Sequence, residues 1–261
     1  MGARLKNPPV YVTVAQVRFN PILKIAEFLP SIQERFRLAG YPDFKTQHGV
    51  SIQISVDNNE TTPKPVKQEI YRFGNVEQTD AFTLDNQNLT LLSTNYGDFK
   101  QFQATFIKGL EATNELLDIS YVERVGLRYL DRVMPLEGDK LEDYLISQVH
   151  GINSLFGGVA GYTYTEALNV VGSIKLVSRI AIQKGPLAFP PDLQIGNDMQ
   201  VIERFKTYDG ISAILDNDGF IEGREPFSKK QIIEHLENIH KVIGNAFKAI
   251  VTPYAFESWD K

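Results

Sequence analysis

The stretch Tyr121 to Val133, YVERVGLRYLDRV, lies near the middle of the chain and constrains it most. It is rich in β-branched, aromatic and other apolar residues and holds no proline, so it reads as a β-strand. Strand side chains alternate between faces, which places Val125, Leu127 and Tyr129 on one side and Arg124, Arg128 and Arg132 on the other. A strand of this kind requires a sheet whose apolar face is covered by a second layer.

The same pattern opens the chain. Val10 to Phe19, VYVTVAQVRF, reads as a strand, and Gln16-Val17-Arg18-Phe19 parallels Gly126-Leu127-Arg128-Tyr129. Ile22 to Leu38 has helical spacing with Pro30 inside it, and Gly40-Tyr41-Pro42 stops it. Strand-like runs follow at Val50–Val56, Glu69–Gly74, Ala81–Asp85 and Leu89–Thr94, the first two separated by the polar loop DNNETTPKPVK. Asp98 with Gln101 forms a capping pair before a helix carrying Phe99, Phe102, Phe106 and Leu110.

The second half reads in the same order. After Tyr121–Val133 come a helix at Lys140–Ile152, strands at Val159–Val171, Ser173–Gln183, Met199–Tyr208 and Ile211–Asp216, and the loop GPLAFPPDLQIGND between the middle two. Ser228 with Gln231 caps a long helix striped by Ile232, Leu236, Ile239, Ile243 and Phe247, and Pro253 ends it. Arg72-Phe73 matches Arg204-Phe205, and Leu84-Asp85-Asn86 matches Leu215-Asp216-Asn217. The expected fold is α+β: two pseudo-repeats of β-α-β4-α at 10–120 and 121–261, behind a flexible lead at 1–9. They would form one curved, largely antiparallel sheet with helices on one face. The order resembles the TATA-binding-protein-like arrangement, an analogy of element order that carries no function.

Several chemistries lack their residues. There is no cysteine, hence no disulfide, thiolate nucleophile or cysteine metal site. No Walker, G-x-G-x-x-G or G-x-S-x-G motif occurs, and Gly157-Gly158-Val159-Ala160-Gly161 lacks the lysine of a phosphate loop and reads as a turn. Of His48, His150, His235 and His240, the last two share a helix five residues apart, which is not ligand spacing. Asp216-Asn217-Asp218-Gly219 begins like a calcium loop, but its twelfth position is Phe227, so a hairpin turn is expected. No catalytic residue, metal or cofactor is assigned. No apolar run approaches the roughly 20 residues of a membrane helix, so a cytoplasmic protein without membrane contact is expected. A net charge of −5 weighs against bulk binding to nucleic acid.

Two features remain as candidates. Arg18, Arg124, Arg128 and Arg132, joined by Arg72, Arg179 and Arg204, form either a cationic sheet face for an anionic partner or a solvated face paired to Glu123, Asp131, Glu203 or Glu77. The Phe99, Phe102 and Phe106 stripe is either core or the lining of a cavity between sheet and long helix, open to an apolar ligand. The first expectation is a non-enzymatic protein that engages a protein partner or itself through its sheet face or edges. The alternatives are a nucleic-acid-associated component using the arginines, and a small-ligand binder or enzyme with a pocket under the helix.

The segments VAQVRFNPIL, LDNQNLTLLSTNYGDFKQF, RVGLRYLDRV and LDNDGF, followed by LENIHKVIGNAFKAIVT, resemble a sporadically distributed, uncharacterised bacterial family of about this length. The resemblance implies no activity and no catalytic residues. A patchy distribution of that kind implies an accessory or mobile-element gene, in conflict or defence.

Overall fold

The computed structural model describes residues 5–57, 60–155, 161–193, 195–196 and 198–261, with side chains described for all of these except 48–57, 60–68, 153 and 154. Nine strands form one sheet: β1 (Val10–Phe19), β2 (Asp43–Asp57), β3 (Glu60–Gly74), β4 (Asp80–Leu84), β5 (Asn88–Ser93), β6 (Tyr121–Val133), β7 (Tyr162–Val171), β8 (Ile174–Lys184) and β9 (Ile211–Pro226). Their spatial order is β2-β3-β4-β5-β1-β6-β9-β8-β7, and every neighbouring pair is antiparallel. The two strands with the strongest alternation, β1 and β6, lie side by side at the centre and have the bounds expected from sequence.

One face of the sheet is covered by α1 (Ile25–Leu38), α2 (Phe99–Leu117) and α5 (Lys229–Ile250). The carboxylate of Asp98 accepts from the Gln101 amide at the start of α2, and the Ser228 hydroxyl does the same for Gln231 in α5. Each cap satisfies a backbone donor that the first turn leaves open. Val17, Phe19, Phe73, Phe82, Leu89, Val125 and Leu127 meet Phe36, Phe106, Leu110, Leu236 and Ile239 in the main core. A second core joins Val133, Leu215 and Ile182 to α3 (Leu141–Tyr144) and α6 (Pro253–Trp259).

The second half departs from the expected order. Met199–Tyr208 is not a strand: Glu203–Thr207 forms the short helix α4, which buries Phe205. Lys140–Ile152 is not one helix. After α3 the chain pairs Leu145 with Val251, and a 3-10 stretch (Ser147–Leu155) breaks at Gly151, where φ is +62°. Asp216–Gly219 is no turn but the interior of β9, and three strands rather than four follow β6. The matched pairs therefore occupy unlike places: Arg72 lies in β3 and Arg204 in α4, while Asp85 follows β4 and Asp216 lies inside β9. In the first half the DNNETTPKPVK segment extends β2 and β3 to a tip at Asp57 and Glu60; Asn58 and Asn59 lie outside the described residues. Pro63 and Pro65 are tolerated because β4 pairs only with Tyr71–Gly74, which leaves the distal part of β3 as an edge. The Gly157–Ala160 part of the glycine-rich turn also lies outside the described residues.

The opposite face is crossed by the described residues of 185–210, a proline-bearing strap between β8 and β9. Leu187, Ala188, Leu193, Ile195, Met199, Val201 and Phe205 from the strap pack on Tyr11, Val14, Leu92, Leu130 and Ile214. Leu5–Pro9 are tied in beside it: Asn7 donates its amide to Trp259, and the Pro9 carbonyl accepts from the Arg132 amide.

Candidate functional site

The arginine alternation read from β6 is real, but its face is not free. Arg132 is 1% exposed, and its guanidinium donates to the Ser212 hydroxyl and to the carbonyls of Phe205, Gly185 and Tyr208. Arg128 is also buried. It grips Asp216 through Nε (2.6 Å) and Nη2 (2.7 Å), and Asp192 of the strap through Nη1 (2.8 Å) and Nη2 (3.1 Å). Burial alone would lower its pKa, but these carboxylates outweigh that and raise it; in turn Arg128 holds Asp192 below the ordinary carboxylate range. Arg179 adds a second contact to Asp216 at 3.2 Å. Arg72 donates to Asp198 and to the Met199 sulfur, and Arg204 to the Pro8 carbonyl. The arginines thus bolt the strap and the chain start to the sheet. The expected partners Asp131, Glu203 and Glu77 play no part in this.

Arg18 and Arg124 lie beyond the strap, opposite each other across β1 and β6. Arg124 donates to Gln16, lies 3.5 Å from Asp218 and stacks over the Phe220 ring. Lys175 pairs with Glu222 at 2.9 Å, and Arg18 faces Glu123 at 3.8 Å with its side chain 38% exposed. Arg124 and Lys175 thus each have a carboxylate beside them, while Arg18 shares Glu123 with Arg224, which holds it at 2.9 Å.

The sheet ends at β2 and β7. β7 runs for ten residues in unbroken register with β8, with no proline, lysine or bulge. Tyr164, Leu168, Val170 and Val171 are all more than half exposed, and among the described residues nothing pairs with the outer backbone edge of Tyr164–Val171. Sheet edges are ordinarily blunted by charge, proline or irregularity. Glu166, the one charge on β7, is already held by Arg179 at 2.6 Å.

Under the helices, register assembles a row that no local motif announces. Asp80, Ser93, Thr13, Tyr129, Asn217 and Ser178 stand opposite one another across six adjoining strands, between the two apolar cores. Tyr129 hydrogen-bonds Tyr96 at 3.2 Å and His240 Nδ1 at 3.1 Å, and Phe99 stacks on the His240 ring. Burial lowers the His240 pKa and pushes the Tyr96 hydroxyl up to about 12. Thr13 Oγ1 and Asp80 Oδ1 are buried without a hydrogen-bond partner, and Asp131, on the same face, is raised to about 7 by burial. His235 instead bonds Glu225. A cavity of about 390 Å³ opens at the Asp80 end of the row, beneath the first turns of α2. Phe102 lines it, Phe106 is core, and the remaining lining is largely polar.

Among the described residues, no helix is long and apolar enough to cross a membrane. Compared with protein-family models and with curated proteins, the chain matches none.

Proposed function

We propose that this chain is a non-enzymatic interaction protein that pairs with a second copy of itself along the open edge of β7. The exposed edge Tyr164–Val171, with Tyr164, Leu168, Val170 and Val171 turned to solvent, carries the reading. Its logic follows from taking the two halves as pseudo-repeats about the central β1/β6 pair. Outward from that pair the order is β5, β4, β3, β2 on one side and β9, β8, β7 on the other. On this reading β7 corresponds to β3, which β2 covers, and among the described residues of the second half no strand takes the part of β2. A second β7 supplies the missing strand.

The strand is self-complementary in antiparallel register about Ala167. Tyr164 then faces Val170 of the other copy and Glu166 faces Leu168, so apolar side chains meet and no like charges do. Strand addition of this type draws affinity from main-chain hydrogen bonds and specificity from the alternate side chains. The arginine-borne nucleic-acid reading is the weaker one, since Arg128 and Arg132 are consumed by the strap and Arg124 is paired.

Sedimentation over a range of concentrations tests the reading. Wild type is expected to pass from monomer to dimer, and Leu168→Lys, at a site 61% exposed, to stay monomeric with the melting temperature of dilute, monomeric wild type. A wild type that remains monomeric throughout, or a Leu168→Lys variant that dimerises equally well, overturns it.

A further inference from the structure

The cavity beneath α2 is chemically specific. Its lining combines apolar Leu91 and Phe102 and the ring of Tyr96 with polar Asp80, Ser93 and Thr105. Its volume lies within the range of small-molecule sites. Asp80 lines the cavity and makes no ion pair among the described residues; its Oδ1 is closed off without a donor, out of reach from the cavity. Burial raises the Asp80 pKa, with Ser93 offsetting part of the effect. Lys108, the one cation on the lining, extends from an exposed position of α2.

We infer that this cavity binds a small organic amine, its ammonium group held at Asp80 and its apolar body against Tyr96 and Phe102. An ammonium supplies up to three donors to the carboxylate and the neighbouring hydroxyls. An aromatic or aliphatic body displaces water from the Leu91, Tyr96 and Phe102 side chains of the lining. An acidic ligand would bring a second negative charge to the Asp80 carboxylate in a half-enclosed site. The cavity lies under the helices and β7 at the far edge of the sheet, so this inference stands independently of the pairing proposed above.

The test is calorimetric titration of the full chain with three probes sharing one ring: tyramine, its alcohol counterpart tyrosol, and 4-hydroxyphenylacetate. Tyramine is expected to bind at least tenfold more tightly than tyrosol, and the acid not to bind. Asp80→Asn should cut tyramine affinity at least tenfold while leaving tyrosol within threefold. Thr105→Trp, which fills the cavity and keeps the carboxylate, should abolish binding of both; it decides the matter if Asp80→Asn fails to fold. Absence of tyramine binding at millimolar concentration overturns the inference. So does equal binding of amine and acid, or wild-type affinity in Thr105→Trp.

Discussion

Replacing Arg128 with alanine separates a clamp from a binding surface. The side chain makes four hydrogen bonds to two carboxylates, one of which, Asp216, is 3% exposed. Asp192 is 56% exposed and hydrates once released, so its loss contributes little. Asp216 cannot hydrate in place. Breaking a buried pair typically costs about 3–5 kcal/mol, and the surviving Arg179 contact brings the expectation to the lower end, about 3 kcal/mol. For a chain of this size that corresponds to a fall in Tm of roughly 6–12 °C. Urea and thermal unfolding at pH 7 measure it, and limited proteolysis should find the strap at 185–210 cut faster. Arg18→Ala, at a site with one long ion pair, should stay within about 0.5 kcal/mol. If Arg128→Ala costs less than about 1 kcal/mol and the strap is no more labile, the clamp account is wrong.

Asp131→Asn tests the buried carboxylate. Its folded pKa of about 7 lies above the unfolded value of about 3.9, so the folded state binds the extra proton and stability falls as pH rises between those values. The wild type should lose up to about 4 kcal/mol relative to Asp131→Asn between pH 4 and 8; a constant gap would refute this. Tyr96 and Tyr129, the titratable groups coupled to it on the helix side, keep their protons throughout this window, and subtraction removes the His240 contribution. Gly219→Ala places a methyl group 2.6 Å from Ile239 Cγ2 and 3.2 Å from Ile243, so α5 must shift, at a cost of about 1–3 kcal/mol in urea unfolding. An unchanged midpoint would show that the α5 approach is slack.

What was legible in the sequence is what neighbours along the chain decide. β1, β6, the Asp98 and Ser228 caps and the α5 stripe each rest on local alternation, capping or helical period, and each stands as read. The burial of the arginine face is not legible along the chain because its partners are distant: Asp192 for Arg128, the Phe205 carbonyl for Arg132 and Asp198 for Arg72. Asp216-Asn217-Asp218-Gly219 resembled a turn since four such residues are poor strand formers alone. In β9 each has a reason to be there: Asp216 takes Arg128 and Arg179, Asn217 takes Ser178, Asp218 faces Arg124, and Gly219 admits α5. The polar row under the helices was invisible because it exists only once six strands are in register. One local signal is Glu203 with Lys206, an i, i+3 ion pair inside α4 that a strand would place on opposite faces.

The most direct test of the central claim is amide hydrogen exchange of β7 as a function of protein concentration. If two copies pair there, the outward amides between Tyr164 and Val171 slow down as concentration rises through the dimerisation midpoint, while β2 at the opposite edge exchanges at a constant rate. Exchange in β7 that is fast and independent of concentration, in a protein that nonetheless dimerises, would contradict the claim.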